Sequence, residues 1–230
     1  MSDKNLLRQT RANTIINSTS KGQEKEVLIA LRIVANKISQ KFPGIRLEHH
    51  KKITLKYIVE HLKKQFPDID FHYMFDSSFM APDGGFLNII NKDDKQYPIL
   101  IPEAKNQGTN DLRLSEGLNK QAKGNAIERL GKNVIGLRTY FLSEDIFPFV
   151  CFGYGCDFDE SSSILDRVIT IAMFGKLNKT YLHNMQQFNR GSFYFRRNKW
   201  SIEEMVDIMY DIAEKSIYYY FSKHGENSFI

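Results

Sequence analysis

Tyr97-Pro98-Ile99-Leu100-Ile101-Pro102-Glu103-Ala104-Lys105 is the stretch on which the fold turns. Ile99-Leu100-Ile101 is apolar at every position, so a strand here is buried on both faces and belongs in the middle of a sheet. Two residues later the same strand carries charge. Side chains alternate along a strand, so Glu103 and Lys105 point to one face. A strand buried on both faces is a costly place for an ion pair kept only for structure.

Working outward, Phe86–Asn91 reads as the other arm of an antiparallel hairpin around Lys92-Asp93-Asp94-Lys95. Pro82-Asp83-Gly84-Gly85 makes a tight turn just ahead of it. The hairpin therefore carries Asp83 back beside Glu103, twenty positions on. Phe71, Tyr73 and Phe75 alternate with Asp70, His72 and Met74, which predicts another strand. Val27, Leu31, Val34 and Ile38 share one helical face, predicting a helix over 22–41 stopped by Pro43-Gly44. A second helix is expected from Thr54 to Phe66, with Leu55, Ile58, Val59 and Leu62 inward. Lys51, Lys52, Lys56, Lys63 and Lys64 form its solvated side. Residues 1–21, polar and carrying Lys4, Arg8, Arg11 and Lys21, read as a flexible arm ahead of one domain over 22–230.

Downstream, a helix is expected from Gly124 to about Leu142, then a buried strand at Phe147–Tyr154. Ser161-Ser162-Ser163 suits a cap for a helix over Ile164–Phe174. Phe193-Tyr194-Phe195 fits a late strand. Ser201 and Glu204 have capping-box spacing and open a long C-terminal helix to about Phe221. This alternation fits a single mixed α/β domain.

The bulk numbers agree. A chain of 230 residues, 42% hydrophobic and 26% charged, is long enough for one α/β core. A net charge of +5 and a pI near 9.0 suit a polyanionic partner without requiring one. Two cysteines, Cys151 and Cys156, are too few for a disulfide framework or a closed zinc site and read as free thiols. The N-terminus lacks a signal-peptide core, and no run approaches the roughly 18 apolar residues of a membrane span. A cytoplasmic protein without a membrane partner is expected. The six histidines show no metal-ligand spacing.

Asp83 and Glu103 converging at a sheet edge make a hard oxygen site suited to Mg²⁺, with the Ala104 carbonyl between them as a further ligand. Such an ion lowers the pKa of a bound water and neutralises charge on a reacting phosphate. Lys105 can orient or deprotonate that water, or counter the developing charge. The plainer alternative makes Asp83 a turn former and Glu103–Lys105 a surface ion pair.

Pro82-Asp83-Gly84-Gly85, Glu103-Ala104-Lys105-Asn106-Gln107-Gly108 and Gly124-Asn125-Ala126-Ile127-Glu128-Arg129 together resemble, in order and spacing, the signature of the EcoRI family of type II restriction endonucleases. Phe147-Pro148-Phe149-Val150 and Trp200–Ser216 are similar too. The likeness covers residues 75 to 155 well and the C-terminal helix more loosely. It implies a single-domain restriction-endonuclease-like fold of the PD-(D/E)xK superfamily, with a five-stranded mixed sheet flanked by helices. It further implies a homodimer that cuts both strands of duplex DNA to leave 5′ overhangs, using Mg²⁺, with Mn²⁺ as a substitute. A cognate DNA methyltransferase is implied, though not as a physical partner. By position, Asp83, Glu103 and Lys105 are the catalytic residues, with Asp83, Glu103 and the Ala104 carbonyl holding the metal.

The same resemblance places Gln107, Gln121, Ala122, Lys123, Gly124, Asn125, Ala126, Glu128 and Arg129 at the DNA. Asn125 can bond adenine N6 and N7, Ala126 can meet a thymine methyl, and Arg129 can reach a base edge or phosphate. Glu128 can take an adenine amino group or hold a partner's arginine, and Gly124 lets backbone approach the bases. Asn125 also suits a helix N-cap, with Glu128 completing the box. These residues point to a palindrome with central AATT. Three departures concern its surroundings. Pro102 replaces the alanine of the EcoRI branch, so the strand is expected to be bent or unpaired there. Gln121 and Lys123 replace apolar residues, and the long insertion that supplies outer-base arginines has no counterpart after Gly155. The outer pair stays open among RAATTY, CAATTG and no outer demand. Two other readings are a nicking or repair nuclease of the same fold and a DNA-binding protein that has lost catalysis.

Overall fold

A computed structural model describes residues 15–106, 115, 117, 125–155, 180–183 and 186–230. Helix α1 spans Ile15–Lys41, strand β1 Arg46–His50, β2 Ile53–Thr54, α2 Leu55–Gln65, β3 Phe79–Met80, β4 Phe86–Ile90 and β5 Gln96–Asn106. Helix α3 follows at Asn125–Tyr140, then β6 Phe147–Tyr154, β7 Thr180–His183, β8 Gln186–Arg196 and α4 Ile202–His224.

The main sheet has the order β1-β4-β5-β6-β8-β7. Its first three strands are antiparallel and β5, β6 and β8 run parallel, which gives the five-stranded mixed sheet that was expected. Short β7 adds antiparallel at the β8 edge. Strand β5 is central, as its doubly apolar run requires. Successive β6 residues feed opposite faces. Val150 and Phe152 pack with α1 and α4, while Phe149 and Cys151 pack under α2 and α3. The helix α1 stripe Val27, Leu31, Val34 and Ile38 is buried, as its spacing demands.

Helix ends follow their residues. The Thr54 hydroxyl accepts from Tyr57 N at 3.2 Å to start α2. At α4, Ser201 accepts from Glu204 N and the Glu204 carboxylate accepts from Ser201 N, so both halves of the capping box form. Tyr220 then donates to the Pro98 carbonyl at 3.2 Å, fastening α4 to the start of β5.

The structure corrects two expectations about the elements. Residues 71–75 form no strand. Among the described residues no strand pairs with them, and Met74 and Phe75 stand exposed. The strand beside β4 is instead β1, whose Arg-Leu-Glu-His-His lies on an edge and so shows no apolar signal. Helix α1 starts at Ile15, not near residue 22, so the second part of the expected arm is helical. Once nucleated, a helix extends through polar residues at little cost, and no apolar spacing marks that extension. Residues 1–14, Cys156 and the expected helix over Ile164–Phe174 lie outside the described residues. No helix among the described residues is long and apolar enough to cross a membrane.

Candidate active site

Strand β5 outlasts its neighbour. The β4 ladder ends at the Leu87–Leu100 pair, after a register shift, whereas β6 accompanies β5 from Ile101 to Asn106. The turn before β4 fills the vacated edge. Gly85 N donates to the Pro82 carbonyl at 2.9 Å, closing the turn, and Gly84 N donates to the Pro102 carbonyl at 2.9 Å. Both glycines are required. A Cβ on Gly84 would lie 2.4 Å from Pro102 Cγ, and Gly85 has φ +69 with the His50 carbonyl 2.4 Å from where its Cβ would be.

The strand runs unbroken through Pro102. A residue's N–H and C=O point to the same side of a strand, so the missing donor of Pro102 faces the turn, where the β4 ladder has already ended. The expectation of a bent or unpaired position is not met: Pro102 registers with Val150 of β6, its carbonyl is taken by Gly84, and only its donor is missing.

This edge brings the three residues together. Ala104 N donates to Asp83 Oδ2 at 3.0 Å, and Asp83 N donates to Glu103 Oε2 at 3.0 Å. Lys105 Nζ lies 3.2 Å from Asp83 Oδ2 and also bonds Glu103 Oε1. The Glu103 side chain is 1% exposed, Lys105 16% and Asp83 20%. The plainer surface-pair reading therefore fails. Burial pushes the Glu103 carboxyl above its ordinary range, Asp83 adds to this, and the Lys105 ammonium pulls the other way. Burial opposes the Lys105 ammonium, but the two carboxylates outweigh it and raise its pKa. Lys105 thus stands as a cation held between two acids.

The donor set fits a divalent cation. Asp83 Oδ2 and Glu103 Oε1 already converge on one positive group, and the Ala104 carbonyl lies on the same strand side as its N–H, facing Asp83. Among the described residues no group of three or more His, Cys, Asp or Glu could hold a metal. Two carboxylates suffice for Mg²⁺, which keeps several waters.

Comparison with known proteins places this geometry. The family model described as restriction endonuclease EcoRI matches residues 9–164. The chain belongs to the EcoRI family of restriction endonucleases. Type II restriction enzyme RsrI of Cereibacter sphaeroides is 27% identical over 220 residues, covering 80% of this chain and 79% of its own. Type II restriction enzyme EcoRI of Escherichia coli is 27% identical over 241 residues, covering 88% and 87%. Family membership makes this chain a site-specific deoxyribonuclease.

Within that family frame, α3 opens at Asn125, and Ala126, Glu128 and Arg129 lie in its first two turns. Their side chains, and Gln107, Gln121, Ala122, Lys123 and Gly124 altogether, lie outside the described residues. Sequence reasoning missed Asn133. Its Nδ2 donates to Glu103 Oε1 at 3.3 Å. A signal existed: Leu130, Asn133, Val134 and Leu137 have the i, i+3, i+4, i+7 spacing of a core-facing stripe, with an amide in one apolar slot. His49 was also unassigned; its Nε2–H donates to the Gly84 carbonyl at 2.8 Å and steadies the turn.

Proposed function

We propose that this chain is a type II restriction endonuclease that hydrolyses both strands of duplex DNA at a palindrome with central AATT, with Mg²⁺ as cofactor and Mn²⁺ as a substitute. The observation that carries this reading is the convergence of Asp83 Oδ2 and Glu103 Oε1 on the Lys105 ammonium at a sheet edge. Asp83, Glu103 and the Ala104 carbonyl hold the metal. When bound, the ion supplies an acidified water and countercharge for the phosphate. Lys105, beside both carboxylates, orients or helps deprotonate that water, or offsets charge developing on phosphate oxygen.

Sequence choice rests on the first turns of α3. Asn125 reads adenine N6 and N7, Ala126 meets a thymine methyl, and Arg129 reaches a base edge or phosphate. Glu128 and Gln107 assist them, while Gly124 lets the backbone approach. Gln121, Ala122 and Lys123 border the outer pair, where Lys123 donates to a purine N7 and favours RAATTY. A palindrome is read by a two-fold assembly, so the working species is a homodimer cutting to 5′ overhangs.

The test is digestion of plasmid DNA and of a randomised NNAATTNN library with Mg²⁺, followed by sequencing of the ends. Discrete double-strand fragments with AATT at the centre are expected, and Ca²⁺ should support binding without cutting. Nicks alone would indicate a nicking nuclease, no cutting a binding protein, and a site lacking AATT would refute the recognition assignment.

A further inference from the structure

We infer that Asn133 is a positioning residue that ties the Glu103 carboxylate to the helix carrying the DNA-reading residues. This rests on the reading of Asp83, Glu103 and Lys105 as the catalytic site. Three donors hold the Glu103 carboxylate. Asp83 N takes Oε2; Lys105 Nζ and Asn133 Nδ2 share Oε1. The first comes from the turn before β4 and the second from β5 itself, so both move with the sheet. Among the described residues, Asn133 is the donor that comes from a helix. Donors on both oxygens fix the plane of the carboxylate, and removing one frees it to rotate.

Helix α3 opens at Asn125, eight residues before Asn133. At 1.5 Å per residue the opening of the helix and the amide are about 12 Å apart along one rigid rod. The rod is anchored beneath by Ile127, Leu130, Val134 and Leu137, all buried. It leaves no compliant loop between the start of α3 and Glu103. A shift or rotation of α3 as its first turn engages a base pair therefore moves the Asn133 amide against Oε1. A well-seated helix presents Glu103 to the metal in the productive orientation, and a poorly seated one turns it away. The amide can do this without touching DNA.

The experiment compares Asn133→Ala with the parent in three measurements: single-turnover cleavage at saturating enzyme, duplex binding without divalent metal, and calorimetric Mn²⁺ binding without DNA. A hydrogen bond to a charged group sets the scale, so Asn133→Ala should cleave about tenfold more slowly or worse. Its duplex affinity should stay unchanged and its Mn²⁺ affinity should fall several-fold. Asn133→Gln, which restores an amide donor, should recover part of the rate. Unchanged cleavage, or a loss in duplex affinity that matches the loss in rate, would overturn the inference. Should Asn133→Ala fail to fold, the near-isosteric Asn133→Asp turns the donor into an acceptor facing Glu103 and must slow cleavage at least as much; a parental rate there also overturns it. Glu103→Gln separates the two levels. If it still cuts, the site reading falls; if it is dead while Asn133→Ala is normal, this inference alone falls.

Discussion

Helices α1 and α4 cover one face of the sheet with a buried, uncharged and mainly hydrophobic cluster that includes Val34, Ile38, Val150 and Met209. The face under α2 and α3 begins the same way, with Phe147, Phe149 and Ile101, but beyond Ile101 it continues into Glu103 and Lys105. The same strands thus serve two ends. Apolar burial on the first face supplies stability. On the second, two acids and an ammonium are taken out of water at a cost that structure alone does not recover. The difference supports the proposed active site: a charge cluster at the end of a doubly buried strand is costly for structure alone and suits work on a substrate.

The strongest way to break this contrast is to substitute once on each face. Glu103→Gln keeps volume and leaves Asp83 with Lys105, so melting should change little while cleavage falls about a thousandfold or more, the scale of losing several kcal/mol of charge stabilisation. Ile38→Ala should do the reverse. It opens a cavity costing about 2–5 kcal/mol of stability, and the cleavage rate per folded molecule should stay parental. Thermal melting and single-turnover kinetics on both variants decide the matter. If Ile38→Ala slows chemistry as much as Glu103→Gln, the faces are not separate.

Gly84 sharpens the comparison because it touches both sides. A methyl there would lie 2.4 Å from Pro102 Cγ and 3.0 Å from Val27 Cγ1, which belongs to the α1 cluster. Gly84→Ala should therefore cost about 1–3 kcal/mol by overpacking and also slow cleavage, since relief moves the turn that carries Asp83. Losing only one of the two properties would mean that the turn and the α1 face yield independently.

The smallest effect is expected at an ion pair that serves neither site nor core. Arg196 bonds Glu204 at 2.6 and 2.5 Å and stacks 3.7 Å from the Trp200 ring centroid. The Arg196 guanidinium holds the Glu204 carboxyl down at about 2, against an ordinary 4.5. A lowered folded-state pKa means that its contribution is full above 4.5 and is lost as pH falls toward 2. Glu204→Gln should flatten stability against pH across that window and leave cleavage at neutral pH unchanged. An unchanged acid limb in pH-dependent melting would show that the pair does not contribute to stability.

The order of these effects tracks what could be read in advance. The sequence by itself determined the central strand, because Ile99-Leu100-Ile101 has nowhere to go but a sheet interior. It determined the turn at Pro82–Gly85, the strand Phe147–Tyr154 and the Ser201–Glu204 cap, since each depends on residues close together in the chain. It also placed Asp83, Glu103 and Lys105 in one neighbourhood, through alternation and hairpin closure. Only the tertiary structure decided the rest. Alternation at residues 71–75 reads like a strand, but a strand needs a neighbour, and the place beside β4 went to β1 instead. Pro102 reads as a defect until β4 stops short and the turn takes its carbonyl. Asn133 reads as an ordinary helix residue until α3 is laid across β5 and its amide meets Glu103. Local pattern records what each segment can become. Which segments meet is settled by packing between residues far apart in the chain, and there the ladder edge and the third donor to Glu103 were decided.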